Sequence, residues 1–367
     1  MARMKRTIVK VGSSLLVTPE GEVRREWLAS LVSDIAARNA AGEQVVIVSS
    51  GAIALGARRL GLAKGGRASL EDAQAAAATG QIALASCWAE LLDAHGITAA
   101  QILVTLDDLE DRRRYLNAAA TLDRLLSLGV VPVINENDSV ATTEIRFGDN
   151  DRLAARIAQA AGAQKVILLS DVDGLYSSDP ARNAGATRVE TVKRIDARIV
   201  AMAGPGTTSG MGSGGMASKL EAARIANAAG ADLVIVSGQH DHPLARLDGG
   251  GCGTLFVAGT GARARKAWLA GRLTVRGVVH VDAGAVKALR GGASLLPAGA
   301  RTVEGRFERG DVVDISGPEG EAIARGLVEY DLADAQAICG KRSDALEKLL
   351  GYAPRAALVH RDHMVML

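Results

Sequence analysis

Aromatic side chains are scarce in this chain: 3 Trp, 4 Tyr and 3 Phe among 367 residues. Few platforms remain on which unpaired bases could stack, which argues against a single-strand nucleic-acid binder. There are only three cysteines, Cys87, Cys252 and Cys339, far apart and with no C-x-x-C. That pattern excludes a disulfide framework and a zinc site readable from spacing, and it suits a reducing compartment. No apolar run reaches the roughly 18 residues of a membrane-span candidate. The opening MARMKR leads directly into TIVKV with no apolar stretch between them, so a cytoplasmic, soluble chain without a signal peptide is expected. Charge of neither sign prevails: the net charge is +2, too small to draw the whole molecule toward nucleic acid or a membrane.

What is present is an alternation. Apolar, β-branched bursts (Thr7–Val11, Gln44–Ser49, Thr98–Leu103, Val131–Asn135, Lys165–Ser170 and Asp232–Ser237) are separated by helix-length segments. Those segments are Arg24–Ala41, Leu70–Ala94, Leu116–Leu128, Asn150–Ala161 and Met216–Ala229. Runs such as VVIVSS, VVPVIN and KVILLS are apolar on both faces, as strands covered by helices on two sides must be. The reading is an α/β fold, a three-layer αβα sandwich around a mainly parallel sheet. After Thr254 the texture changes. Residues 261–275 carry Arg263, Arg265, Lys266 and Arg272 and no acid. Short strand candidates follow, with helices expected at Ala283–Arg290 and Lys341–Leu350, so a small barrel-like domain is expected over 276–354. The division reads as residues 1–260, a basic linker 261–275, a second domain 276–354 and a C-terminal tail 355–367.

Several stretches carry chemistry. Lys10 stands at the carboxyl end of the first strand, ahead of Gly12-Ser13-Ser14, and ligands of open parallel sheets bind outside such ends. A strand-end lysine snorkelling to water is the ordinary alternative. In VVIVSSGAIALG a strand runs into Ser49-Ser50-Gly51 and then a helix, whose unpaired N–H groups can hold an anion. Ser49 or Ser50 as a plain helix cap is equally compatible. Asn135, Asn137 and Asp138 follow a buried strand, and Asp149-Asn150-Asp151 opens a helix, where acids are favoured anyway by the helix dipole. Acids gathered so densely require cations beside them, whether lysines, a substrate ammonium or Mg²⁺. Ser170-Asp171 ends another strand, and Asp173-Gly174 marks a turn.

The stretch GPGTTSGMGSGGMASKLEAARIA is the most informative. Gly210, Gly212 and Gly215 satisfy G-x-G-x-x-G, but no strand precedes them, and Met216 stands where a Walker A lysine would be. The glycines lead instead into a helix with Lys219 in its first turn. A cation there opposes the helix dipole unless an anion sits at the helix mouth. A flexible linker is the alternative. His280, His360 and His363 look isolated from acids and cysteines, and the mixed-charge run Asp107–Leu122 reads as a solvated segment that could also cover the cleft.

Taken in order, IVKVGSSLL, IVSSGAIALG, LEDRRRYLNA, PVINENDSVAT, FGDND, GLYSSDP, GMGSGGMASK, GASLLPAG and VHRD resemble the glutamate 5-kinases, amino-acid kinases with a C-terminal PUA domain. The resemblance implies the amino-acid-kinase fold over 1–260, a PUA domain over 276–354, and MgATP-dependent phosphorylation of the γ-carboxylate of L-glutamate for proline synthesis. It implies that Lys10 and Lys219 flank the transferred phosphoryl group, that Asp151 holds them, and that Ser50, Asn135, Asp138, Asp149 and Asn150 bind glutamate. ATP would lie against Lys10, Ser170, Asp171, Ser213, Gly214, Gly215, Met216, Ala217, Ser218 and Lys219, with Mg²⁺ carried on its phosphates and no protein metal ligand. Relatives carry serine or threonine at the positions of Ser170, Ser213 and Ala217, so Ala217 loses one hydroxyl contact. The resemblance further implies inhibition by proline at the glutamate site, with Asp107–Asn117 taking part. It also implies hand-over of a labile acyl phosphate to glutamyl phosphate reductase, and a homo-oligomer, dimer or tetramer.

Two other readings are weighed against this one. RNA binding by the second domain is disfavoured, because residues 276–353 carry 10 basic and 12 acidic side chains, although the basic linker speaks weakly for it. Another carboxylate kinase of the same fold is the alternative within enzymes.

Overall fold

The structure is a computed structural model that describes residues 4–140, 150–183, 185–204, 215–259, 274–352 and 354–367. Two compact units form, Met1–Glu110 with Ala118–Gly261, and Asp111–Asn117 with Ala262–Leu367.

The described residues of the first unit form ten strands: β1 (Arg6–Val11), β2 (Gln44–Ser49), β3 (Ala99–Val104), β4 (Val131–Glu136), β5 (Lys165–Ser170), β6 (Leu175–Tyr176), β7 (Arg188–Val189), β8 (Thr191–Val192), β9 (Asp232–Ser237) and β10 (Gly253–Phe256). Eight of them form one sheet in the order β3-β4-β2-β1-β5-β9-β10-β8, while β6 and β7 make a separate hairpin. From β3 to β9 every pairing is parallel; β10 runs antiparallel to β9. β1 sits between β2 and β5, with Lys10 opposite Val48 on one side and Leu168 on the other. Ile8, Val9, Val11, Val46, Ile47, Val48 and Ile167 are all buried, so the apolar runs do lie at the centre of a sheet covered on both faces. The α/β fold with a mainly parallel sheet is as expected. The reversed strand β10 was not anticipated, since four residues carry no readable period.

Helix Arg25–Ala40 buries Trp27, Leu28, Leu31, Val32 and Ile35, one stripe at helical spacing. Helices Ala52–Leu60 and Leu70–Asp93 touch backbone to backbone. A Cβ on Gly56 would overlap the carbonyl of Ala76, and one on Gly80 would overlap that of Ala52. Only glycine permits that approach. Helix Asn150–Ala161 follows, then Met216–Ala228. The charged run expected to be solvated forms helices Leu106–Glu110 and Arg112–Ser127; the latter begins four residues before the expected Leu116. No helix among the described residues is long and apolar enough to cross a membrane.

The second unit has a five-stranded mixed sheet in the order β12-β11-β13-β14-β15, from β11 (Val275–Val281), β12 (Ala300–Gly305), β13 (Val312–Ser316), β14 (Ala322–Val328) and β15 (Val359–Met366). Its own core includes Val279, Leu295, Ile315, Val328, Tyr330 and Leu358. Two expectations change here. The stretch read as a tail supplies strand β15, which pairs with β14 through Met364 and Val365 and buries Val359. The helix expected over Lys341–Leu350 is confined to Leu346–Leu350, and an unexpected helix, Leu332–Ile338, buries Ala335 and Ile338. The histidines are not isolated from acids: His363 Nδ1 lies 3.6 Å from Glu329 Oε1, and His280 Nε2 lies 3.6 Å from Glu304 Oε1.

Candidate active site

Three residues far apart in the chain meet at the carboxyl end of β1. Asp151, in the first turn of helix Asn150–Ala161, is 1% exposed. Its Oδ1 lies 2.6 Å from Lys10 Nζ and its Oδ2 lies 3.0 Å from Lys219 Nζ. Both lysines are buried. Burial works to raise the pKa of the Asp151 carboxyl, but attraction and hydrogen bonds from Lys10 and Lys219 outweigh it and hold the group below the usual carboxylate range. One carboxylate thus balances one of two buried ammonium groups. The positive charge left over is the complement of an incoming anion.

On the β2 and β4 side of β1 the polar groups form one connected set. The Asn150 amide donates to Ser50 Oγ (2.7 Å), the Ser49 carbonyl (3.0 Å) and Asn135 Oδ1 (3.1 Å). The Asn150 Oδ1 has no hydrogen-bond partner among the described residues. Neither serine caps the helix that follows: Gly51 stands at that position in a left-handed conformation, φ 104°, leaving Ser50 for Asn150. Asp138, in a 3-10 turn after β4, is 7% exposed, and its Oδ1 has no hydrogen-bond partner among the described residues. Burial pushes its carboxyl up to about 6, against the attraction of Arg67.

Three contributors were not anticipated from the sequence. Gln81, in the helix Leu70–Asp93, accepts a 2.8 Å hydrogen bond from the Asn135 amide. Trp88 donates to Ser49 Oγ at 3.0 Å. Arg67 acts on Asp138. The first two lie in an alanine-rich helix whose pattern reports only packing, and no local motif marks them.

On the β5 and β9 side, Ser170 pairs in register with Ser237, and the Ser170 hydroxyl donates to Asp171 Oδ1 at 3.0 Å. Gly238 N–H donates to the Ser170 carbonyl, and Gln239 donates to that of Asp171. Gly215 caps the helix Met216–Ala228, in which Lys219 is buried while Ala217 is exposed. Its first turn also holds Met216 and Ser218. Asp149, Ser213 and Gly214 lie outside the described residues. Of the segment Asp107–Asn117, Leu106–Glu110 belongs to the first unit and Asp111–Asn117 to the second.

Sheet order therefore sets two polar regions on opposite sides of β1, with the Lys10–Asp151–Lys219 triad between them. Residues 5–237 match the amino acid kinase family, and residues 277–350 match the PUA domain. The chain belongs to the amino acid kinase family. Within this family, the glutamate 5-kinase of Sphingopyxis alaskensis is 69% identical over 366 residues, spanning 100% of this chain and 98% of that protein. Glutamate 5-kinases of Zymomonas mobilis and Novosphingobium aromaticivorans are 62% and 63% identical over 362 residues each, covering 99% of this chain and 91% and 96% of theirs. Full-length similarity at this level places the chain with the glutamate 5-kinases. A solved structure, the UMP kinase of Ureaplasma parvum, aligns with a TM-score of 0.48 at 15% identity over 70% of this chain and 99% of its own.

Proposed function

We infer that this chain carries out the glutamate 5-kinase reaction, the first step of proline biosynthesis. The γ-phosphoryl group of ATP passes to the γ-carboxylate of L-glutamate, giving L-glutamyl 5-phosphate and ADP. The ion triad carries the reading. The acceptor carboxylate is already ionised at neutral pH, so no general base is needed. Its oxygen forms a bond to the γ-phosphorus as the bond to the bridging oxygen of ADP breaks, and no proton changes place. What opposes the reaction is repulsion between anions, so positioning and charge stabilisation are the whole task.

Lys10 and Lys219 supply that stabilisation, and Asp151 sets where their amines stand before substrate arrives. Such groups, preorganised and shielded from water, act without reorganising during the step. Glutamate occupies the β2/β4 side: Ser50 and Asn135 orient it, and the open Asn150 Oδ1 and the Asp138 carboxylate receive its ammonium, with Asp149 in support. ATP occupies the β5/β9 side against Ser170, Asp171 and the stretch Ser213–Lys219. Mg²⁺ brought in with ATP would add neutralising charge at the phosphates.

The assignment of domains as 1–260 catalytic, 261–275 linker and a PUA domain from 276 onward belongs to the same proposal. So do inhibition by proline at the glutamate site, delivery of product to glutamyl phosphate reductase, a homo-oligomeric state and a cytoplasmic location. The test compares ADP release with glutamate, acetylglutamate and aspartate; glutamate is expected to be strongly preferred. Lys10→Ala and Lys219→Ala should each raise the barrier by about 2.7–4 kcal/mol, as loss of a preorganised donor does. Near-normal turnover in both variants would remove the assignment.

A further inference from the structure

A cavity of about 730 Å³ opens in the first unit between the turn after β1 and the helix Ala52–Leu60. None of the residues assigned above to glutamate or ATP lines it; its polar walls include Ser13, Ser14, Glu20, Arg58, Lys64 and Arg67. Three cations thus face one acid, and Glu20 is already engaged with Thr18 and Arg58. Lys64 and Arg67 form no ion pair among the described residues. Pro19, Leu62 and Val17 add apolar wall. The volume falls in the range of small-molecule sites, roughly 300–1,000 Å³.

The backbone at this wall is strained as well. Lys64 is left-handed, φ 50°, and is followed by Gly65 and Gly66 at φ 62° and 74°. A side-chain-bearing residue pays about 1–2 kcal/mol for that conformation, and strain of this kind gathers at ligand clamps. The cavity also borders the reaction centre. A Cβ on Gly12 would lie 3.8 Å from Lys10 Nζ and 3.9 Å from Ser14 Oγ, so the Ser14 wall and the Lys10 amine both border the same glycine.

We propose that this cavity binds an organic polyanion, a small molecule bearing two or more phosphate or carboxylate groups, at a site separate from those of both substrates. Guanidinium groups meet such oxygens with paired donors, and Lys64 adds a point charge. The occupant would also draw on Arg67, whose attraction acts on Asp138. It follows that glutamate binds less tightly when the cavity is filled. That consequence rests on the glutamate-site reading, whereas binding to the cavity does not.

Calorimetric titration of the full-length chain tests the proposal directly, with pyrophosphate and citrate as probes and with glutamate and a non-hydrolysable ATP analogue saturating. At least one probe should bind at a single site, and a Lys64→Gly/Arg67→Gln double variant should weaken it tenfold or more. Both side chains are exposed, and glycine accepts the left-handed position, so the variant should fold; an unchanged melting temperature checks this. Binding of pyrophosphate alone assigns phosphate esters, citrate alone assigns polycarboxylates, and both together leave polyanions in general. Equal affinity in the double variant, loss of binding whenever the ATP analogue is present, or no binding of either probe would each overturn the proposal.

Discussion

Asp138 and Asp151 are both buried, yet they sit in opposite electrostatic conditions. Asp151 has two ammonium partners and stays ionised. Asp138 is pushed up to about 6 by burial, against the attraction of Arg67. Each difference gives a measurement. Asp151→Asn strands two buried ammonium groups and should destabilise the chain by about 3–5 kcal/mol in urea titration, besides abolishing turnover. Because the Asp151 carboxyl is depressed, its stabilisation is present above the unfolded carboxylate pKa and is lost as pH falls through the folded value. Asp138 runs the other way. Its folded pKa lies above its unfolded one, so its contribution is full below the unfolded value of 3.8 and is lost as pH rises through about 6. Asp138→Asn should therefore melt higher than the parent at pH 8 and show a smaller advantage at pH 4. In the parent, KM for glutamate should rise as pH falls through about 6, when the proposed receptor for the ammonium is neutralised; in Asp138→Asn that inflection should vanish while KM is raised about 10–100-fold, the loss of a hydrogen bond between charged partners. A parent KM flat from pH 5 to 8 would separate Asp138 from the substrate.

Among elements, the contact of Gly56 with helix Leu70–Asp93 and of Gly80 with helix Ala52–Leu60 has the least tolerance. Gly80→Ala should force the two backbones apart at a cost of about 1–3 kcal/mol or more, read as a lowered melting temperature. It should also raise KM for glutamate, because Gln81 is the next residue and holds Asn135. Elements with a strong apolar signal were legible in the sequence: Gln44–Ser49, Lys165–Ser170, Asp232–Ser237 and Asn150–Ala161 fall where the pattern put them. Others were not, for identifiable reasons. The helix Arg112–Ser127 opens on three arginines that carry no apolar period. In β15, His360, Arg361, Asp362 and His363 interrupt the alternation, so the strand read as a tail. Within the site, Lys10, Asp151 and Lys219 each admitted a bland local reading, and Gln81 gave no signal at all. Their meeting is a property of the tertiary fold, which local sequence does not report.

Among the described residues each unit has a large core that shares no residue with the other's, one around Val9, Leu28, Ile47 and Trp88 and one around Val279, Ile315, Val328 and Tyr330. Calorimetry should therefore resolve two unfolding transitions, each movable by itself. Gly80→Ala should lower one. Glu329→Gln should lower the other, since the half-buried Glu329 lies among Arg309, Arg355 and His363 at 3.5, 3.7 and 3.6 Å. A single transition shifted equally by both variants would contradict this. Within the first unit, strand order has an evolutionary consequence. On the proposed assignment the acceptor is read by β2, β4 and the start of helix Asn150–Ala161, while the donor is read by β5, β9 and the start of helix Met216–Ala228. Mutations that retune the choice of acceptor can then accumulate on one flank of β1 while the phosphoryl donor stays fixed on the other. A scaffold divided in this way can diversify its chemistry one half at a time.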